Sequence, residues 1–364
     1  LNVSPTVTPE DIRVWTWSAI ARGAKGVNYY AWYPMSSGYE SGGFGLNQLD
    51  GTITERARAA GAIAQTVNRN QKLFLEARPP KAQVAIVYNP LAHFVGGRQR
   101  ATVYAGPQGE VAGIERDSLL GIYRALFETN VPIDYIHIDH LTPGDMRQYR
   151  LVFLPYPVML PEASAAVLRA YVQSGGALVA EARLGWNNES GRASERIPGM
   201  GLWEVMGCRE TDVQTGDKGR TALKWLATGD ELAARWYEET LEPMSPSARV
   251  SARFADGRAA AVTSTYGRGR TLMLGSFISA AYQSGPTPAV ARFYRSLLEW
   301  AGVELPVVTE RGQVEVRYLE SGSTTLVFAI NHSKQPVDAA FRLKGRRFEH
   351  RLEAQDAWFT TSRD

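Results

Sequence analysis

The sequence predicts an α/β fold in three parts: the terminal part of a (β/α)8 barrel, a flavodoxin-like α/β domain, and a small antiparallel β domain. Three observations predict it. In residues 1–78 a helix pattern, an apolar stretch, a Gly/Ser-rich loop and a second helix pattern follow in order, which is one βα unit with the helix before it. Between 79 and 302, short apolar runs alternate with amphipathic helix patterns, the signature of a parallel sheet. From 303 to 364, apolar and polar residues alternate at a period of two.

The first helix opens at Thr8-Pro9-Glu10-Asp11, with a capping hydroxyl, a proline at the first helical position and acids in the first turn. Ile12, Trp15, Ala19 and Ile20 continue at helical spacing, and Arg22-Gly23 ends the pattern. The stretch 26–33, Gly-Val-Asn-Tyr-Tyr-Ala-Trp-Tyr, is apolar and aromatic on both faces and is expected to be a barrel strand. Thr54 caps the next helix, with Ala57, Ala60, Ile63, Ala64 and Val67 on one face. A whole barrel takes about 250 residues, so residues 1–78 supply at most its last quarter, and the chain reads as the later part of something longer.

Arg78-Pro79-Pro80 is the linker. Beyond it, expected strands at 84–88, 133–136, 151–154 and 177–180 are separated by a helix capped at Asp117 or Ser118 and another opened by Pro161. Residues 254–274 read as a hairpin turning at Asp256-Gly257, and Thr287-Pro288 starts a helix with Phe293, Tyr294, Leu297 and Leu298. In the last part, Val314, Val316 and Tyr318 alternate, as do Leu326, Phe328 and Ile330.

Composition narrows the chemistry. The chain has 364 residues and a net charge of +3 from 40 basic and 37 acidic side chains that are interleaved, which argues against a nucleic-acid partner. No apolar run reaches the roughly 18–20 residues that span a membrane. The compartment stays open, with the cytoplasm slightly favoured. Cys208 is the single cysteine, which rules out an intrachain disulfide and a cysteine-cluster metal site. No cofactor or metal is expected. Nine Trp and sixteen Tyr fit a sugar-handling surface, although most such rings belong in cores.

Glu40 is the best placed acid, in the loop that follows the expected barrel strand. Glycosidic catalysis would need a second carboxylate roughly 5–9 Å away, and Asp50, beside Gly51, is the only other acid of this loop. Catalysis, binding of sugar hydroxyls and an ordinary loop acid are its three readings. Trp32, at the end of the stretch, floors a sugar subsite or packs at a barrel rim. His137 and Asp139 share a face as a metal pair would, but a strand end running into Leu141-Thr142-Pro143-Gly144 explains them more simply. Cys208 as an amidotransferase nucleophile would belong in the turn after Leu154, which reads Pro155-Tyr156-Pro157, so a buried hydrophobe is the better reading. Tyr266-Gly267-Arg268-Gly269-Arg270 lacks the spacing of a phosphate loop and reads as a turn. His332 and His350 have no visible partners in the sequence.

Residues 26–43 resemble the last barrel strand and loop of family 42 glycoside hydrolases, the β-galactosidase group. There the strand ends in Trp followed by Arg, and the loop carries Gly-x-Glu-x-x-His. Trp32, Gly38 and Glu40 match, whereas Tyr33 replaces the Arg and Gly43 stands where the His would be. Leu151-Val152-Phe153-Leu154-Pro155 and the helix ending Tyr171-Val172-Gln173-Ser174-Gly175-Gly176 are similar to that family's amidotransferase-like trimerisation domain. The resemblance implies a retaining hydrolysis of β-galactosides by a homotrimer whose two catalytic glutamates precede Leu1, so that no catalytic residue lies in this sequence. It makes Trp32, Tyr33 and Glu40 the substrate-binding candidates. The domains expected are 1–78, 79–302 and 303–364. A non-catalytic oligomerisation or carbohydrate-binding protein on the same scaffold is the alternative, and an amidotransferase-like domain a third.

Overall fold

The computed structural model describes residues 6–92, 94–95 and 113–363. The chain forms two compact units, one of Leu1–Lys81 with Leu305–Asp364 and the other of Ala82–Glu304. The first and last of the three expected segments thus share one unit.

Helix α1 (Pro9–Ala21) starts as the sequence predicts, with a complete capping box between Thr8 and Asp11. Helices α2 (Glu55–Arg69, capped by Thr54) and α3 (Gln71–Glu76) follow. The stretch 26–33 between α1 and α2 joins no sheet, which corrects the expected strand. A strand exists through ladder partners on at least one side, and among the described residues 26–30 make no backbone–backbone hydrogen bond.

The second unit carries β1 (Val84–Tyr88), α4 (Ile114–Phe127), β2 (Ile133–His137), α5 (Pro143–Met146), β3 (Leu151–Leu154), α6 (Glu162–Gln173), β4 (Ala177–Ala180) and α7 (Leu202–Met206). Antiparallel strands β5 (Cys208–Trp225), β6 (Glu231–Pro243), β7 (Arg249–Arg253), β8 (Ala259–Tyr266) and β9 (Gly269–Leu274) come next, then α8 (Ile278–Ser284) and α9 (Pro288–Trp300). They build one sheet of order β2-β1-β3-β4-β9-β8-β7-β5-β6, parallel from β2 to β9. The parallel half has the flavodoxin order, with β3 and β4 buried at every residue, so their sequences read as unbroken apolar runs. Helix α4 starts at Ile114 rather than at Asp117 or Ser118, because Ile114 is itself buried and Glu115 and Asp117 fill the acidic first turn. The long β5–β6 hairpin has no clear sequence signal, since charged residues interrupt its alternation on both strands.

Two glutamates lie wholly inside this unit, Glu181 just past the end of β4 and Glu239 within β6. Glu181 Oε1 accepts from the Ser279 amide at 3.0 Å and its hydroxyl at 2.5 Å, and Oε2 from the Tyr156 amide at 3.4 Å. Burial pushes its carboxyl up to about 7, against the pull of these donors. Glu239 Oε2 accepts from the Arg183 amide at 3.0 Å, while the Arg183 guanidinium holds both oxygens of Glu210 at 2.6 Å and lies 4.1 Å from the Trp186 ring centre. Burial first, and then the neighbouring Glu210 charge, push Glu239 well above the carboxylate range.

The chain closes with β10 (Val307–Arg311), β11 (Glu315–Ser321), β12 (Thr324–Asn331), β13 (Val337–Leu343), β14 (Arg346–Leu352) and β15 (Asp356–Arg363). They form two three-stranded antiparallel sheets, β10-β13-β14 and β11-β12-β15. One face of β11-β12-β15 meets the other sheet through Val316, Val327, Ala329 and Phe341. Its second face, with Leu326, Phe328 and Ile330, packs on Val14, Trp17 and Ile20 of α1 and Phe74 of α3. Because both faces are covered, seven of the eight residues of β12 are buried. Trp17 stacks on Phe359 at 6.0 Å and lies 6.0 Å from Phe328, while Phe74 meets Phe359 at 5.1 Å.

Polar contacts join the same pieces. Glu315 is wholly buried and accepts from Arg317 at 2.8 Å and His332 Nε2 at 2.7 Å, with Arg22, the cap residue of α1, 2.5 Å away. Lys25 donates to the carbonyls of Phe74 and Ala77. Desolvation pushes the Glu315 carboxyl up, but the His332 hydrogen bond and the Arg317 and Arg22 charges outweigh it and hold it at about 2. That lies below its ordinary 4.5, so its stabilisation is present in full above pH 4.5 and is lost as pH falls towards 2. Glu315→Gln should cost the first unit about 3 kcal/mol at neutral pH and flatten its acid limb between pH 4.5 and 2. Denaturant unfolding across that range tests it, and an unchanged acid limb would show that Glu315 does not set it.

Candidate functional site

Residues 31–49 fold back on themselves after α1. Ala31 N donates to Phe44 O at 2.7 Å, Leu46 N to Ala31 O at 2.8 Å and Asn47 N to Trp32 O at 3.1 Å. Met35 N reaches Gly43 O at 3.2 Å, and Gly42 N returns to Met35 O at 2.8 Å. The result is a hairpin-like lobe whose tip is Ser36 to Ser41, turned by Gly38 at φ +83° and Gly42 at φ +80°. Both glycines occupy the left-handed region that other L-residues reach only at a cost. At the base, Gly45 lies so close to Pro34 that a Cβ would come within 2.3 Å of the proline ring. Arg56 Nη2 donates to Gly45 O at 2.9 Å and the Thr54 hydroxyl to Leu46 O, so the start of α2 pins the lobe.

The lobe brings together the sequence candidates in part. Glu40 sits at its tip, half-buried, beside Tyr39, whose ring is 91% exposed. Trp32 lies on the first arm and is 60% exposed, a free aromatic face rather than a packed rim residue. Tyr33 is exposed along its ring, but its hydroxyl is spent on the Leu49 carbonyl, so it can offer a sugar a flat surface and no donor. Asp50 is taken up by a turn, accepting from the Thr52 amide at 2.9 Å, and that bond holds its carboxyl below the usual range. Glu40 therefore has no second lobe carboxylate free to act with it. Residues 34–50 contain no Lys, Arg or His, so the wall is aromatic and uncharged apart from two acids, Glu40 and the turn-bound Asp50. Sequence reasoning passed over Tyr30 and Phe44, whose rings meet at 5.6 Å beside Trp32. Their positions depend on the fold-back of the lobe, which no local pattern signals.

The other candidates recede. His137 Nδ1 accepts from the Asp139 amide at 3.3 Å in a short 3-10 turn, and among the described residues no cluster of His, Cys, Asp and Glu could hold a metal. Cys208 is buried at the start of β5, and burial pushes its thiol up, so it is a protonated core residue rather than a nucleophile. Where an amidotransferase nucleophile would stand, Tyr156 takes φ +43° and buries its ring 5.0 Å from Phe277. Tyr266-Gly267-Arg268-Gly269 turns β8 into β9, as expected. His332 has its partner in Glu315, and His350 stacks on Trp358 at 4.8 Å. No helix among the described residues is long and apolar enough to cross a membrane.

An acid-bearing aromatic loop after α1, a flavodoxin-ordered unit and a β-sandwich define a multidomain α/β protein. The family comparison makes it specific. The family model described as β-galactosidase trimerisation domain matches residues 82–304, and the one described as β-galactosidase matches residues 2–69. The chain belongs to glycoside hydrolase family 42, the β-galactosidase family. It is 26% identical to β-galactosidase LacZ of Heyndrickxia coagulans over 334 residues, covering 90% of this chain and 46% of that protein. It is likewise 26% identical over 344 residues to a β-galactosidase of Thermus thermophilus, covering 92% of this chain and 46% of that one. The solved β-galactosidase of Bacillus circulans superposes with a TM-score of 0.81 at 21% identity, over 100% of this chain and 54% of that one. That of Rahnella sp. R3 gives 0.80 at 20%, over 100% and 53%. The chain spans about half the length of the relatives it matches.

The tight approach of Gly45 to Pro34 yields a local test. Gly45→Ala should destabilise the lobe by about 1–3 kcal/mol through overpacking. Limited proteolysis should then cut within residues 34–50 faster than in the parent, while the 82–304 unit keeps its melting temperature. Equal cleavage rates would show that the lobe is not held at this point.

Proposed function

We propose that this chain is the C-terminal portion of a retaining β-galactosidase acting on β-galactosides or related oligosaccharides. Its catalytic carboxylates would lie in sequence preceding Leu1. The observation that supports this best is the Glu40 lobe, aromatic and carrying one available acid, within a segment that matches the β-galactosidase family model. In the reaction, one glutamate protonates the leaving oxygen while a second attacks the anomeric carbon and forms a glycosyl-enzyme, which water then hydrolyses. Glu40 has no free partner for either step. Its part is to accept hydrogen bonds from sugar hydroxyls, with Trp32 and the ring of Tyr33 as apolar walls against the pyranose face.

The unit 82–304 would assemble a homotrimer, in keeping with the description of the model it matches. A second reading rests on Tyr33 and Gly43, which stand where the family's Arg and His would be. These departures favour a scaffold kept for oligomerisation or carbohydrate binding without turnover.

The purified 364-residue chain should hydrolyse no aryl β-galactoside. Turnover abolished by Glu40→Gln would overturn the assignment of the catalytic pair to preceding sequence. Light scattering should give the mass of three copies. A monomer would count against the trimer.

A further inference from the structure

Inside the second unit one cation stands between two carboxyls. Arg183 donates from its guanidinium to both oxygens of Glu210 at 2.6 Å and from its amide to Glu239 Oε2 at 3.0 Å. Glu239 is wholly buried, and the side chains of Arg183 and Glu210 are nearly so. With both glutamates ionised, the group would keep an uncompensated negative charge away from water, which is strongly unfavourable. Glu239 Oε1 sharpens the count. It is buried and meets no donor among the described residues, while the Glu210 carboxyl lies within hydrogen-bonding reach of the Glu239 side chain. Two ionised carboxylates that meet are both acceptors. A proton on one turns the meeting into a hydrogen bond and removes the surplus charge. Glu239 is the one to carry it, because Glu210 already has the Arg183 guanidinium on both oxygens.

Three pieces of the unit meet here. Arg183 follows β4 at φ +64°, a left-handed conformation that a residue with a side chain keeps only when its surroundings hold it. Glu210 belongs to β5 and Glu239 to β6. The segment opened by Arg183 lays Trp186 against the guanidinium and returns to β5, where the Glu210 amide donates to Ile197 O at 2.7 Å. Cys208, also on β5, lies near enough to feel the Glu239 charge, and burial keeps its thiol protonated. The end of β9 meets Glu239 through the Gly275 carbonyl, and α8 carries no charged residue. Arg258, beside β8, is engaged by Glu238 and Asp256, and Arg292 of α9 by Asp230. Arg183 and Glu210 are therefore the charges that answer Glu239.

We propose that Glu239 holds a proton in the folded protein at neutral pH and shares it with Glu210, so that one proton clamps the segment after β4 to the β5–β6 hairpin and its loss as pH rises loosens that segment. The electrostatics run the same way. Burial first, then the Glu210 charge, push the Glu239 carboxyl above its ordinary 4.5. An acid raised on folding contributes its stability in full below 4.5, and the contribution is lost as pH rises towards the folded value. Glu181 is raised too, but it changes the parent and any Glu239 variant alike.

Glu239→Gln tests it in the 364-residue chain, because the amide copies the protonated acid: its nitrogen donates to Glu210 and its oxygen accepts from the Arg183 amide. Parent and variant should melt alike near about pH 5, with the 82–304 unit of the parent falling progressively behind as pH rises to about 9. At about pH 9 the Arg183 amide should exchange about tenfold faster in the parent than in the variant, and equally near about pH 5. Glu210→Gln should flatten the pH dependence as well, since Glu239 can then ionise against Arg183 alone. A Glu239→Gln protein that melts below the parent by one margin at every pH would show that Glu239 is ionised throughout, and would overturn the proposal. Should that variant fail to fold, infrared spectra of the parent decide. A protonated-carboxyl band that persists above about pH 8, where Glu181 with its value of about 7 has ionised, supports the shared proton. Loss of every such band by that pH overturns it.

Discussion

The first unit depends on one buried carboxylate. Glu315, on β11, has no exposed side-chain surface, and three cationic or hydrogen-bonding groups converge on it. Arg317 comes from its own strand, His332 from just beyond β12, and Arg22 from the cap of a helix nearly three hundred residues earlier. An unpaired charge in that position would cost several kcal/mol, so the helix end and the strand must be in place together. The apolar contacts of Trp17 and Phe74 with Phe328 and Phe359 supply the area, and Glu315 supplies the registry between the pieces.

The aromatic lobe keeps its shape through contacts of its own. The lobe is braced by its own backbone bonds, by Thr54 and Arg56 at the start of α2, and by the tight contact of Gly45 with Pro34. Trp32 and Glu40 thus hold their places through contacts of the lobe and the start of α2.

The second unit uses buried carboxyls differently. Glu181 sits just past the carboxyl end of β4 in a doubly wound sheet, the place where such folds usually keep ligands, and Glu239 lies within β6. Here Ser279, Tyr156, Arg183 and Glu210 take up that space, and the strained turn after β3 carries a buried tyrosine. The crevice is filled by side chains that join strands to α8 and β6.

Much of this was legible in residues alone. Thr8, Thr54 and Thr287 mark helix starts through local hydroxyl-to-amide bonds, and the apolar runs of β1, β3 and β4 announce a sheet covered on both sides. The alternation of Val314, Val316 and Tyr318 marks β11 as a strand, and Glu40 with Trp32 stands out because a short aromatic stretch empties into a glycine-rich loop. These signals work over a few residues, which is as far as a sequence pattern reaches. Tertiary structure decided what depends on distant partners. Residues 26–33 have the composition of a strand yet join no sheet, because pairing is made by neighbours and not by composition. The Tyr33 hydroxyl is taken up by the distant Leu49 carbonyl, and His332 looked solitary until Glu315 was placed beside it. The first and last segments share one core because burying Trp17 and Phe74 requires a surface that only the C-terminal sandwich provides.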